Sequence, residues 1–270
     1  MNRIPIYQVD AFTSELFGGN PAAVCPLDKW LADDVLQSIA MENNLSETAY
    51  IVPGGENGED YALRWFTPAI EVDLCGHATL ASSFVIFEKL NSSLKAVSFS
   101  TRSGRLDVSR SDGGELVLDF PALPPVAVPI LDGLEKAIGV VPINLYRAQD
   151  NEGKFLAELA NETEVRNLDP DMEYIASMAG DGLIVTALGD DEDCDFVSRY
   201  FAPHVGILED PVTGSAHCVS VPYWANRLGK TVLSARQISK RGGALQCELD
   251  GARVKIGGRA VLYMVGEIMV

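Results

Sequence analysis

The chain has 270 residues, of which 47% are hydrophobic and 22% are charged, and this composition excludes a disordered chain. Asp and Glu number 38 against 21 Lys and Arg, which gives a formal net charge of −17. So acidic a surface disfavours nucleic acid and anionic membranes as partners, because both bind clustered basic side chains. At about 150 residues per domain, the length allows two ordinary domains or one large domain.

The first residues carry no apolar stretch of the secretory type, and no apolar segment reaches the ~20 residues that span a bilayer. We therefore expect a cytoplasmic protein. The five cysteines include no Cys-x-x-Cys pair, and the three histidines are not at metal-ligand spacing. We expect reduced thiols and no bound metal.

Hydrophobic spacing predicts an alternation of strands and helices in the first part of the chain. A turn that contains Asn20 follows the first strand, and a later helix opens at Gly76. Residues 78–87 of that helix are apolar or small on every side, which predicts burial all round. The predicted elements are a strand over 5–12, a helix over 30–43, strands over 50–52 and 61–66, the helix from Gly76, and strands over 97–100, 105–109 and 115–120.

The second part of the chain shows a similar order. A second apolar helix is predicted over residues 216–228, after Gly214, with Pro222 expected to kink it. Four strands are predicted after that helix, over residues 237–240, 244–249, 253–256 and 260–265.

Short motifs recur about half the chain length apart, which predicts an internal duplication. We place the halves at 1–122 and 123–270, joined in the Pro-rich stretch 121–125, because Pro interrupts sheet pairing. Each half is expected to wrap a curved sheet around one apolar helix, an α+β fold. The matching pairs are 64–68 with 199–203, 75–78 with 213–216, 101–104 with 240–243, and 24–28 with 165–169.

The two apolar helices open with Gly76-His77 and Gly214-Ser215. Helix N-termini carry unpaired N–H groups and a positive dipole end, so they suit a carboxylate or an enolate oxygen. Glycine could instead serve close packing at the strand-to-helix turn. Because glycine opens both helices at matching positions of the repeat, we favour anion binding over close packing.

Three polar side chains are candidates for chemistry. Small and apolar neighbours around Glu47 would withdraw its carboxylate from water, which suits a general base, although a solvated loop acid is the plain alternative. His77 lies on a helix-opening turn, where it could be catalytic or a capping residue. Asp210 could bind a polar substrate group or form the turn before the second helix.

Cys75 is a further candidate, because a helix N-terminus lowers the pKa of a thiol. Its counterpart in the second half is Thr213, so a two-thiol mechanism lacks its second member. The sequence leaves the role of His217 open. It contains no dinucleotide fingerprint, phosphate loop or nucleophile elbow, which disfavours nucleotide cofactors and serine hydrolysis.

Six stretches over nearly the whole length resemble the PhzF-like (phenazine biosynthesis) family, which has a diaminopimelate-epimerase-like fold. They are Val9-Asp10-Ala11-Phe12 with Gly19-Asn20-Pro21-Ala22-Ala23-Val24, Ser46-Glu47-Thr48-Ala49, Asp73-Leu74-Cys75-Gly76-His77-Ala78-Thr79, Arg199-Tyr200-Phe201-Ala202-Pro203, and Glu209-Asp210-Pro211-Val212-Thr213-Gly214-Ser215-Ala216-His217.

The resemblance implies two pseudo-symmetric halves, each a β-barrel-like mixed sheet around a central helix, with one active site between them. It also implies isomerisation by proton transfer without a cofactor, and a homodimer. Glu47 would be the general base and acid, with His77 and Asp210 as further catalytic groups. The residues expected to bind substrate are Asn20, Gly76, His77, Asp210, Gly214 and Ser215.

The expected substrate is a small anion that carries a carboxylate, and a cyclic compound is one option. Two alternatives stay open. The first is an amino-acid racemase or epimerase that uses Cys75 with another base. The second is a protein that binds a small ligand or a partner without turnover.

Overall fold

The computed structural model describes residues 3–149 and 153–270. The chain forms two compact units, one from Met1–Asp119 with Gly257–Val270 and the other from Phe120–Ile256. The segment that follows the second unit in sequence is therefore part of the first. Each unit contains a sheet and one long buried helix, as an α+β fold requires. No helix within the described residues has both the length and the apolar character needed to cross a membrane.

The elements of the first unit match the predicted order, with some shifts at their ends; labels follow the chain. Its strands are β1 (Arg3–Ala11), β2 (Asn20–Pro26), β3 (Glu47–Pro53), β4 (Tyr61–Phe66), β5 (Glu71–Val72), β6 (Ala96–Thr101), β7 (Gly104–Arg110), most of β8 (Leu116–Pro121), and β18 (Ala260–Met269). Its helices are α1 (Asp33–Asn43) and α2 (Gly76–Val85), and a π-helical turn (Ile86–Leu90) extends α2.

Strand pairing in the first unit positions the candidate residues. β1 is antiparallel to both β2 and β18. β2 and β3 run parallel, with Ala22 opposite Glu47. Because Asn20 begins β2 and Glu47 begins β3, both residues lie at the same end of this pair of strands. Glu47 is thus the first residue of a strand rather than part of the connection before it.

Helix α2 is buried along its length, as predicted from its lack of a polar face. Its hydroxyl side chains are satisfied locally, because each one donates to the carbonyl four residues earlier. The donors are Thr79, Ser82 and Ser83, at 2.6, 2.7 and 2.9 Å. The helix can therefore enter an apolar core without unpaired hydroxyl groups.

The second unit contains the remaining elements. Its strands are β9 (Val126–Val128), β10 (Asn144–Arg147), β11 (Phe155–Glu158), β12 (Leu183–Leu188), β13 (Phe196–Ala202), β14 (Ile207–Asp210), β15 (Val232–Gln237), β16 (Gly243–Asp250) and most of β17 (Arg253–Gly258). Its helices are α3 (Leu134–Ile138), α4 (Glu162–Arg166), α5 (Met172–Ser177) and α6 (Gly214–Leu228), with a 3-10 turn over Pro203–Val205.

Helix α6 continues through Pro222. Proline has no N–H, so the Cys218 carbonyl loses the donor that would normally come from four residues later. The Leu123 N–H supplies a replacement, at 2.9 Å from that carbonyl. Leu123 lies in the Pro-rich stretch, so this stretch is hydrogen-bonded to the helix at the position where Pro222 leaves an acceptor free.

The recurring Arg-aromatic-Phe motif makes the same contact in each unit. Arg64 of β4 binds Glu71 of β5 through two hydrogen bonds of 2.7 Å. Arg199 of β13 binds Glu209 of β14 in the same way, at 2.7 and 3.0 Å. Two-pronged guanidinium–carboxylate contacts of this kind combine charge with directed hydrogen bonds.

Two predictions from the sequence are wrong. The strand predicted over 237–240 ends at Gln237, because the chain then turns: Ser239 Oγ donates to the Pro211 carbonyl at 2.8 Å and accepts the Gly242 N–H at 3.1 Å. The match of 24–28 with 165–169 is not a structural equivalence either, since Val24 is in β2 and Val165 is in helix α4. A short apolar run fits a buried strand and a buried helix equally well.

Candidate active site

Glu47 and His77 form a buried pair in the first unit. Glu47 begins β3 and His77 is the second residue of α2. The distance from His77 Nε2 to Glu47 Oε2 is 2.9 Å, with 4% of the His77 side chain and 9% of the Glu47 side chain exposed. The parallel pairing of β2 and β3 and the start of α2 bring together residues that are far apart in the sequence.

The two facing atoms approach closely as an ion pair, but they are not aligned for a hydrogen bond. Neither Glu47 Oε2 nor His77 Nε2 makes a directed hydrogen bond with the protein. Buried polar atoms without such bonds are rare, and each one requires an explanation. A polar ligand at these two atoms would supply the missing hydrogen bonds.

The other ring nitrogen of His77 faces Asn20 and Cys75. Asn20 Nδ2 lies 3.1 Å from His77 Nδ1, and Cys75 Sγ lies 3.5 Å from the same atom. Asn20 is fully buried. A half-turn of its amide exchanges donor for acceptor, so it can hold the imidazole in either protonation state. Asn20 thus contacts His77, and its predicted contact with substrate stays a prediction.

Burial and neighbouring charge determine the protonation of this cluster. Burial lowers the pKa of His77, but the interactions with Cys75 and Glu47 outweigh burial and hold that pKa well above its usual range. Burial raises the pKa of the Cys75 thiol to about 11. Cys75 is therefore a neutral thiol at neutral pH.

Glu47, Cys75 and His77 also have the chemistry of metal ligands, with one donor atom from each lying within 4.8 Å of the others. The arrangement fits an ion poorly, because Cys75 contacts Nδ1 of the ring and Glu47 contacts Nε2. One ion can bind only one of the two nitrogens, and a thiolate ligand must first lose its proton. The predicted absence of a metal stays a prediction.

In the second unit, Asp210 belongs to a buried hydrogen-bond network with Thr213 and Gln237. Thr213 Oγ1 donates to Asp210 Oδ2 at 2.5 Å, and Gln237 Oε1 accepts the Thr213 N–H at 2.8 Å. Gln237 Nε2 donates to the Asp210 carbonyl at 2.6 Å and to Thr213 Oγ1 at 3.2 Å. Sequence reasoning missed Gln237, which ends a strand and belongs to none of the recurring motifs.

Helices α2 and α6 begin at Gly76 and Gly214, as predicted. The residues before them, Cys75 and Thr213, make no side-chain cap. The N–H groups of the first helical turn have no partner within a helix, so these two helix starts keep donors for an anion. Ser215, predicted to bind substrate, is the second residue of α6.

His217 is fully buried in the first turns of α6. Its Nδ1 lies 2.8 Å from the Thr213 carbonyl, and burial lowers its pKa to about 4. The ring is therefore neutral at pH 7, with its proton on Nδ1. Nε2 makes no hydrogen bond with the protein.

Comparisons with known proteins agree with this fold. A family model described as phenazine biosynthesis-like protein matches residues 9–266. An uncharacterized isomerase of Pseudomonas aeruginosa is 50% identical over 265 residues, which cover 98% of each chain. A crystal structure of a PhzF-family protein of Enterococcus faecalis superposes with a TM-score of 0.93, at 47% identity, over all of both chains.

A more distant structure, described as a predicted epimerase from Pseudomonas aeruginosa, covers 99% of each chain with a TM-score of 0.77 at 18% identity, which shows the fold alone. The family match agrees with the observed α+β units and with the two long helices that begin at glycine. The chain belongs to the phenazine biosynthesis-like (PhzF) family of the diaminopimelate-epimerase-like fold, and it is an isomerase.

Proposed function

We propose that this isomerase moves a proton between two carbons of a small carboxylate-bearing substrate, with Glu47 as general base and then general acid and without a cofactor. One observation carries the proposal. Glu47 Oε2 and His77 Nε2 lie 2.9 Å apart in a buried cluster, and neither makes a directed hydrogen bond with the protein.

In the first step a C–H bond breaks and Glu47 takes the proton, while the electron pair moves into the carbon skeleton and its conjugated carboxylate. In the second step Glu47 returns the proton to a different carbon, so substrate and product have the same atoms. His77 holds the Glu47 carboxyl group in place through the contact of 2.9 Å. Asn20 and Cys75 orient the imidazole from its other side.

The family resemblance assigns the substrate's carboxylate to backbone N–H groups at helix starts, at Gly76 and at Gly214, and it assigns Ser215 to substrate binding. A helix N-terminus stabilises negative charge that develops on a carboxylate or an enolate. Asp210 binds a donor group of the substrate. These roles rest on the family resemblance, and so does a homodimer, which sedimentation at several protein concentrations would test.

A panel of small carboxylic acids in heavy water tests the proposal, because proton transfer through Glu47 would introduce deuterium at carbon. Proton NMR of the panel identifies the acid that exchanges and the carbon that gains deuterium. Glu47→Gln should lower the exchange rate by about 100-fold or more, since general acid–base groups contribute about 10²–10⁴.

Glu158→Gln is the matched control. Glu158 is also a buried glutamate, but it binds Arg227 and Asn144 in the second unit. The control should retain exchange at the rate of the unaltered protein. Unchanged exchange in Glu47→Gln would rule out the proposed role of this residue.

A further inference from the structure

Thr213 does not use its hydroxyl as a threonine at a helix start usually does. At the N-cap position a Thr oxygen accepts the N–H of the second or third helical residue, which here would be Ser215 or Ala216. Thr213 makes no such bond. Its hydroxyl proton goes to Asp210, 2.5 Å away. The oxygen accepts from Gln237 Nε2.

Two other helices of the same unit have ordinary side-chain caps. Asn161 caps α4 by accepting from the Glu164 N–H, and Asp171 caps α5 by accepting two N–H groups. Among the helices within residues 3–149 and 153–270, Thr213 is the one N-cap residue with a strong capping side chain that does not cap. The exception occurs at the helix start assigned to substrate.

Gln237 explains this exception. It is 1% exposed, and its amide makes three hydrogen bonds to the turn that leads into α6. Its oxygen holds the Thr213 N–H, and its nitrogen holds both the Asp210 carbonyl and Thr213 Oγ1. These bonds fix the backbone on both sides of the turn and fill an acceptor position on the hydroxyl, whose proton then points to Asp210.

We propose that Gln237 is a positioning residue of the isomerase: it holds the Thr213 hydroxyl on Asp210 and so keeps the first N–H groups of α6 uncapped for the substrate's carboxylate. The inference rests on the proposed function, because it takes the start of α6 as the carboxylate site. It adds a residue that touches neither substrate nor the reacting atoms.

Amide hydrogen exchange of Ser215 and Ala216, followed by NMR on the 15N-labelled protein, tests the arrangement without any substrate. Gln237→Met keeps the length of the side chain and removes its hydrogen bonds. The Thr213 oxygen then loses the donor of Gln237 and can accept an N–H of α6 instead, so exchange at that amide should slow by about fivefold, the effect of an ordinary N-cap. Gln237→Glu keeps the acceptor and loses both donors, and it should act in the same direction.

Two further variants separate positioning from simple stabilisation. In Gln237→Met combined with Thr213→Val no hydroxyl is present, so the exchange should return to the fast rate of the unaltered protein. Thr186→Val removes another buried hydroxyl of the second unit, which donates to the Val197 carbonyl at 2.7 Å. This control should lower stability and leave the exchange of Ser215 and Ala216 unchanged.

With the acid identified in heavy water, Gln237→Met should raise KM by about tenfold and change kcat little, because it weakens carboxylate binding in ground state and transition state alike. Glu47→Gln should instead lower kcat. Unchanged amide exchange in folded Gln237 variants, or an unchanged KM, overturns the inference about Gln237. Normal turnover in Glu47→Gln overturns the proposed function and leaves the amide result as it stands.

Discussion

His77 Nε2 and Glu47 Oε2 lie 2.9 Å apart with almost no solvent contact, so the charge that His77 can carry depends on Glu47. Burial alone would remove the charge of His77, but its neighbours Cys75 and Glu47 hold its pKa well above the usual range. Because Cys75 is a neutral thiol at neutral pH, Glu47 is the partner that matters there. Because the charge of His77 depends on Glu47, the free energy of unfolding should depend on pH.

We expect the His77–Glu47 pair to stabilise the fold most below pH 6.5, the ordinary pKa of histidine, and to lose that contribution as pH rises through the higher pKa of the folded state. Urea unfolding at a series of pH values from 6 to 10 measures this loss. In Glu47→Gln the carboxylate is gone, so this fall in the free energy of unfolding should be much smaller. An equal fall in both proteins would contradict the assignment.

The contribution of His217 to the free energy of unfolding should change with pH in the opposite direction, and at lower pH. Its pKa falls from 6.5 to about 4 on folding, so its contribution is complete above pH 6.5 and is lost as pH drops toward 4. The shift corresponds to about 3 kcal/mol. His217→Phe should reduce the pH dependence of the free energy of unfolding in this range. His204→Gln, at an exposed histidine, should leave it unchanged.

Cys75→Ser separates a carboxylate mechanism from a thiol mechanism. Because burial raises the pKa of Cys75 to about 11, the thiol is a poor base, and we expect the variant to keep activity within about tenfold. Deuterium uptake measures this. Cys25→Ser is the matched control, because Cys25 is also buried in the first unit. A loss of 100-fold or more in Cys75→Ser alone would favour the racemase alternative.

The repeated Arg–Glu contact should contribute similarly in each unit. Arg64→Met and Arg199→Met each remove a two-pronged guanidinium contact to a largely buried carboxylate, so we expect losses of about 1.5–3 kcal/mol in the free energy of unfolding. The loss in Arg64→Met should be the smaller of the two, because Arg102 stays 2.7 Å from Glu71. Arg105→Met removes an exposed pair with Asp107 and should cost less than about 1 kcal/mol. Equal losses in all three variants would show that burial of the pair is irrelevant.

Local patterns predicted the parts of the fold that depend on neighbours in sequence. The apolar character of residues 78–87 was enough to predict a buried helix, and the glycines before both long helices marked their first residues. Glu47 and His77 were candidates because of their positions beside these elements, and the structure brings them within 2.9 Å.

Contacts between distant segments could not be predicted in this way. Gln237 was part of a predicted strand, but its hydrogen bonds reach Asp210 and Thr213, which no local spacing encodes. The strand predicted from residue 237 ends there because Ser239 binds the Pro211 carbonyl. Strand register and turns of this kind depend on which segments meet after the chain has folded.

The pairing of β1 with β18 has a consequence for the order of events during synthesis. The two strands pair from Arg3 opposite Met269 to Ala11 opposite Ala260, while the whole second unit is encoded between them. A ribosome therefore makes β1 first and completes its partner only after the second unit has emerged. One edge of β1 therefore stays unpaired through most of translation. Unpaired strand edges are prone to aggregation.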